Sequence, residues 1–300
     1  MSKPAIKNFN PRITIIGSGI VGQATGKGFL SKDFPVTFID VDEQKIKKLR
    51  EDGYDAIFLG EFDETTHQSD ISFISVPTPT VDGIIKLEYL KQACVELGKR
   101  LRKTSNYHLI VTRSTLIPGT NRNLVIKTVE KYSGKKAGVD FGLCTNPEYL
   151  REKSAQKDFL NPWIILIGEY DKRSGDLLSE LFKKFNCPIH RATLEEAEMQ
   201  KYIHNLFNAV KISFFNEFRE ICDDMELGSQ RIFELVTKSC EGMWNSAYGT
   251  YDLGPFDGKC LPKDMQAFFS WAKQKGYEAR ILGAAIASNE ELKERLDIKD

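Results

Sequence analysis

Residues 13–22 read ITIIGSGIVG. Four residues suited to a buried strand run straight into glycines at 17, 19 and 22, the spacing G-x-G-x-x-G. A helix is expected to open directly after them. Gly17 permits the tight turn, Gly19 lets backbone approach a pyrophosphate, and Gly22 lets strand and helix pack closely. Phosphate charge then meets the unpaired N–H groups at the helix start. A second strand, VTFID, ends on Asp40, about 20 residues further on, where a carboxylate accepts hydrogen bonds from ribose hydroxyls. Asp40 repels a 2′-phosphate, so the expected cofactor is NAD rather than NADP.

Similar apolar runs follow at DISFISV, HLIVT, DFGLC and WIILIG. Amphipathic stretches such as YLKQACVELGKRL and NRNLVIKTVEKYS lie between them. This alternation predicts a parallel sheet with helices on both faces. Near residue 190 the pattern changes, and TLEEAEMQKYIHNLFNAVKISFFNEFREIC carries helical periodicity alone. Thr193 with Glu196 fits a capping box at its start. The expected fold is therefore α/β: a Rossmann-like doubly wound parallel sheet in residues 1–192, then a long helix and a smaller all-helical domain in residues 193–300.

Three hundred residues suit about two domains. Lysine plus arginine (42) balances aspartate plus glutamate (42), so no strong field favours nucleic acid or an anionic membrane. No run approaches the roughly 18 apolar residues of a membrane span, and the first residues carry no signal-peptide pattern. Six scattered cysteines without a C-x-x-C pair exclude the common zinc and dithiol motifs. No metal is expected, and the chain reads as a reduced, cytoplasmic protein.

Strand ends in such a sheet carry ligands, which draws attention to SVPTPT (75–80) and VTRSTLIPGT (111–120), with Thr78 and Thr115. In TNPEYLRE (145–152), a helical turn beginning at Glu148 places Glu148 and Glu152 on one face. Lys201 and Asn205 are also four apart, a lysine and an amide able to hold an oxyanion; the neighbouring His204 is given no role. Most unusual is GPFDGKCLPKD (254–264). It fails as a phosphate loop because Cys260 stands where Ser or Thr belongs. Lys259 and Lys263 bracket that thiol, and positive charge favours the thiolate nucleophile. With NAD nearby, a thiolate can trap an aldehyde as a thiohemiacetal that loses hydride to become a thioester.

These motifs, in this order, resemble the UDP-glucose/GDP-mannose dehydrogenase family: GSGIVG, VPTP, STLIPG, TNPEYLRE, AEMQKYIHNLFNAVKISFFNE and GKCLPKD. The resemblance implies a two-step, NAD-dependent oxidation of a nucleotide sugar's C6 alcohol to a uronate, UDP-glucose being the expected substrate. It implies that Cys260 is the nucleophile and that Lys201 and Asn205 steady the oxyanion. Asp264 shares proton transfer, and Glu148 activates water held with help from Thr115. NAD contacts fall to Gly17, Gly19, Ile20, Val21, Gly22, Asp40, Lys45, Pro77, Thr78, Thr115, Glu152 and Lys263. Sugar-nucleotide contacts fall to Glu148, Tyr149, Leu150, Lys201, Asn205 and Gly258. Tyr248 and Tyr251 compete for one substrate-contacting position, Tyr251 being carried forward. The helical region is expected to form a homodimer.

Two departures stand out. Pro255 and Asp257 replace glycines of the usual loop before the nucleophile, and the family's third, nucleotide-gripping domain is expected to be absent from these 300 residues. A non-catalytic NAD-binding or assembly module of the same fold is therefore a second reading. A dehydrogenase for another UDP- or GDP-sugar is a third, and a two-electron hydroxyacid dehydrogenase, which needs no thiol, is a fourth.

Overall fold

A computed structural model describes residues 9–61, 69–250, 254–258 and 260–298. The first part alternates strands and helices: β1 (Ile13–Ile16), α1 (Ile20–Leu30), β2 (Val36–Asp40), α2 (Glu43–Glu51), β3 (Ala56–Phe58), β4 (Ile71–Ile74), β5 (Thr80–Val81), β6 (Ile84–Ile85), α3 (Glu88–Leu101), β7 (His108–Thr112), α4 (Lys127–Ser133), β8 (Phe141–Thr145), α5 (Ala155–Leu160), β9 (Ile165–Glu169), α6 (Lys172–Phe182) and β10 (Ile189–Thr193). Helices α7 (Leu194–Asp224), α8 (Ser229–Ser239), α9 (Glu241–Trp244), α10 (Leu261–Gln274) and α11 (Arg280–Arg295) complete it.

Among the described residues, eight strands form one sheet in the order β10-β9-β8-β7-β4-β1-β2-β3. Every strand read from the sequence is present. Their residues alternate between two cores: Ile13, Ile15, Leu109 and Val111 face one, while Ile16 and Ile110 face the other. Burial on both faces explains why these strands read as continuous apolar runs. One core is built on Phe29, whose ring lies 5.1 Å from Phe73, 5.3 Å from Phe159 and 5.5 Å from Phe182. A fully buried phenylalanine of this kind contributes about 2–3 kcal/mol.

The sheet is not wholly parallel. β8 and β9 pair antiparallel, through Cys144–Glu169 and Thr145–Gly168 alone. Antiparallel neighbours need no crossover, so the chain re-enters the sheet from the carboxyl end of β8. The two-residue hairpin turn Asp82–Gly83 has φ of 51° and 74°, the mirror-image geometry that Asp-Gly favours.

The capping box is formed: Thr193 N–H donates to Glu196 Oε2 at 2.7 Å, and Glu196 N–H donates to Thr193 Oγ1 at 3.3 Å. The chain divides into two compact units at Ile203/His204, inside α7. The first turns of α7 are tied to the sheet unit. Arg122 Nε donates to Glu195 Oε1 at 2.6 Å. Buried Glu198 accepts from the N–H groups of Gly119 and Asn121 at 2.6 and 2.8 Å. Among its described residues the second unit forms helices and no strand, with Ala272, Ala279 and Leu282 at its core and Phe214, Phe218, Phe268 and Trp271 packed around them.

Candidate functional site

The strand order reverses beside β1, whose neighbours are β2 and β4. Parallel sheets bind ligands at the carboxyl ends of strands flanking such a reversal. A cavity of about 310 Å³ lies there, lined by Gly17, Gly19, Asp40, Lys45, Ser75 and Pro77 among others. Gly17 has φ +94°, and a Cβ there meets Ser75 O at 2.6 Å. A Cβ on Gly22 meets Gly17 O at 1.9 Å, whereas one on Gly19 meets nothing within 4 Å. Two glycines are thus required by close packing, and the third leaves open space over the start of α1. Asp40 Oδ2 accepts from Ser18 N–H at 2.6 Å and Oδ1 from Asp42 N–H at 3.0 Å. Lys45 Nζ stands 3.9 Å from the same carboxylate. Each oxygen retains a lone pair for a ribose hydroxyl. The groove, the exposed helix start and the carboxylate fit the pyrophosphate and adenosine ribose of NAD.

Ile20 is exposed beside this turn and Val21 is half-buried. Thr78 Oγ1 donates to Thr115 C=O at 3.1 Å, and Ser114 Oγ donates to Val76 C=O at 2.6 Å, so the loops after β4 and β7 are laced together. Sequence reasoning missed the opposite wall. Tyr89, Gln92, Ala93 and Glu96 of α3 line the cavity, and their helical spacing after the β4 loop is the signal that identifies them.

The segment after β8 reaches the same carboxyl edge. It is not helical at Glu148: Arg151 is extended at φ −87°, ψ 130°, and a short helical turn starts only at Glu152. Glu148 and the exposed Glu152 therefore do not share a helix face, correcting the expectation. The reason is local competition for the carboxylate and the backbone. Glu148 Oε2 accepts from Leu150 N–H at 2.7 Å, and Arg151 instead engages Asp158 through its backbone N–H at 2.9 Å and its Nε at 3.0 Å.

Glu148 has a cationic partner. Lys201, 6% exposed, donates to the Glu148 carbonyl, and its Nζ lies 3.3 Å from Glu148 Oε1. Its ammonium also stands 5.1 Å from the Tyr149 ring. Burial pushes the Tyr149 hydroxyl up to about 12, opposed by its hydrogen bond to Gln200. Tyr149 and Leu150 border a small cleft with Arg113, Phe159 and Trp163. Buried Arg113, which donates to Asn146 Oδ1, is pushed down to about 10 by desolvation, with Glu148 and Tyr149 acting in the opposite direction. Neither Arg113 nor Gln200 was singled out from the sequence. A cation closing a strand, in VTRST, was the available signal for Arg113.

In the second unit, Asn205 is exposed on α7. His204 approaches Asn208 Nδ2 at 3.3 Å. Cys260 is exposed and flanks the start of α10, while Lys263 and Asp264 pair at 2.6 Å on its first turn. Gly258, two residues before the thiol, has φ +90°. Tyr251 and Lys259 lie outside the described residues; Tyr248 is exposed. All six cysteines are unpaired. Burial pushes the Cys94 thiol up to about 12 and also raises Cys144, leaving Cys240 and Cys260 as the exposed thiols. Among the described residues, no group of three or more His, Cys, Asp or Glu suits a metal ion. No helix there is long and apolar enough to cross a membrane.

A glycine turn at a strand-order reversal, a carboxylate closing the second strand and a fitting groove define a dinucleotide-binding α/β protein. Residues 11–186 match the NAD binding domain of the UDP-glucose/GDP-mannose dehydrogenase family, and residues 195–291 match its central domain. The chain belongs to that family and is an NAD-dependent oxidoreductase. It is 37% identical over 297 residues to GDP-mannose 6-dehydrogenase of Pseudomonas aeruginosa, covering 93% of this chain and 68% of that protein. It is 34% identical over 308 residues to a UDP-glucose 6-dehydrogenase of Haloferax volcanii, covering 95% of this chain and 70% of the relative. The solved ternary complex of the Pseudomonas aeruginosa GDP-mannose dehydrogenase superposes with a TM-score of 0.89 at 36% identity, over 95% of this chain and 69% of that one.

Proposed function

We propose that this protein oxidises the C6 alcohol of a nucleotide sugar to a carboxylate in two NAD-dependent steps, through a covalent adduct on Cys260. The observation carrying this reading is the pairing of buried Lys201 with half-buried Glu148 at the sheet edge that also bears the glycine turn. A buried ammonium is costly to desolvate unless an anion meets it, and a reaction that moves both oxyanion charge and protons uses the ammonium and its carboxylate partner. NAD supplies the hydride acceptor.

The first oxidation takes hydride from C6 and passes the hydroxyl proton through a water to Asp264, leaving an aldehyde. The Cys260 sulfur then bonds to the aldehyde carbon, the carbonyl π pair moving to oxygen, where Lys201 and Asn205 steady it. Departure of the second C6 hydride restores the carbon–oxygen double bond and leaves a thioester. Glu148 takes a proton from a water, held with help from Thr115, that attacks this carbon. The carbon–sulfur bond breaks, the uronate leaves and the Cys260 thiolate is regenerated. Asp264 serves proton transfer.

UDP-glucose is the substrate read from the motifs. GDP-mannose is a second reading, supported by the similarity to GDP-mannose 6-dehydrogenase. Thermal-shift titration against UDP- and GDP-sugars separates them. The chemistry is tested with the preferred sugar: the wild-type chain yields two NADH per uronate, whereas Cys260→Ser stalls or is severely slowed after the first NADH. Uronate formation by Cys260→Ser at the wild-type rate overturns the thiol's role. Two further parts of the proposal are a cytoplasmic location, supported by the unpaired cysteines, and a homodimer, tested below.

A further inference from the structure

The loop carrying Cys260 is held by a side chain distant in sequence. Asn289, in α11, is 6% exposed. Its Oδ1 accepts from the Phe256 N–H at 2.7 Å, and its Nδ2 donates to the Phe256 carbonyl at 3.0 Å. A side-chain amide thus pairs with both polar groups of one backbone residue. Asparagine is a poor helix former, and burying its amide is costly unless both ends are satisfied. Here both are satisfied by the loop before the thiol.

The other end of this loop is anchored separately. Cys260 C=O accepts from Asp264 N–H at 2.9 Å, the first hydrogen bond of α10. α10 packs on α11, so both anchors stand on one pair of helices. Between them lie three residues, including Gly258 with φ +90°. An anchor at Phe256, four residues before the thiol, lowers the number of conformations open to the loop that carries it. A misplacement of about 1 Å can cost two orders of magnitude in a bond-forming step.

We infer that Asn289 is a positioning residue for Cys260: its two-point grip on Phe256 sets where the sulfur stands for attack on the aldehyde. The inference rests on the proposed two-step oxidation and predicts a selective defect, since the first oxidation forms no bond to sulfur. Asn289→Ala removes both hydrogen bonds. Asn289→Asp keeps the acceptor for the Phe256 N–H and loses the donor.

The test combines NADH stoichiometry, detection of free aldehyde and hydrogen exchange of the peptide spanning residues 254–260. In Asn289→Ala, NADH per sugar falls from two toward one, aldehyde accumulates and the Phe256 amide exchanges about tenfold faster; NAD affinity is unchanged. Asn289→Asp falls between this variant and wild type, and it decides the matter if Asn289→Ala fails to fold. Wild-type stoichiometry and rate, an equal slowing of both oxidations, or unchanged exchange at Phe256 each overturn the assignment. If the wild-type chain oxidises no sugar nucleotide, the enzymatic reading fails, and unchanged or accelerated exchange still decides the grip.

Discussion

Asp40 holds the N–H groups of Ser18 and Asp42 and so stiffens the turn that a pyrophosphate needs. An amide at this position keeps one oxygen, so one N–H loses its acceptor and the charge that repels a 2′-phosphate disappears. For Asp40→Asn, the NAD dissociation constant is expected to rise about tenfold. The preference over NADP should narrow with it. Fluorescence titration with NADH and NADPH measures both, and unaltered affinities would remove Asp40 from the cofactor site. The residue itself was legible, because a carboxylate closing a strand after G-x-G-x-x-G has few other uses. Its grip on Ser18 was not, because those partners lie 22 residues apart. Lys201 shows the same division: its spacing from Asn205 was readable, but its contact with Glu148 spans 53 residues.

Among the elements, those missed by the sequence reading share a cause. β3 is three residues long, and β10, IHRAT, is an edge strand with only partly buried or exposed side chains. The first is apolar but too short, and the second too polar, for periodicity to detect. The acidic stretch at Glu148 fails in the opposite way, since its spacing invites a helix that Leu150 and Asp158 prevent by drawing off hydrogen bonds. At β7, His108 contributes a testable pH dependence. Its Nδ1 meets the Ser69 carbonyl at 2.9 Å, so that nitrogen is the donor, and Nε2 meets Ser72 Oγ at 2.9 Å. Burial pushes the imidazole down from 6.5 to about 4, against opposing effects of Ser69 and Asp70. Below 6.5 the unfolded chain takes a proton that the folded chain refuses. This contribution to stability is therefore full above 6.5 and lost as pH falls toward 4, amounting to roughly 3 kcal/mol. Melting curves between pH 7 and 4.5 should show a decline that flattens in His108→Gln; an equal decline in the variant refutes the attribution.

At the scale of the whole molecule, α7 presents Leu206, Phe207 and Val210 at 59%, 60% and 57% exposure. A run of large apolar side chains on one helix marks an interaction surface, and a second copy of this chain is the proposed occupant. Light scattering is expected to give twice the 34.1 kDa chain mass, and Phe207→Glu with Val210→Glu should give the monomer. A monomeric wild type would remove the dimer from the proposal. By itself the sequence determined the alternating sheet, the glycine turn, the long helix with its cap and the residue types available for chemistry. Those follow from steric demands and periodic burial within a few residues of chain. Only the tertiary structure decided the antiparallel return at β9, the attachment of the first turns of α7 to the sheet, the pairing of Lys201 with Glu148 and the grip of Asn289 on the Cys260 loop. Each of these depends on groups brought together by packing, and no local spacing records which distant donor will satisfy a buried acceptor.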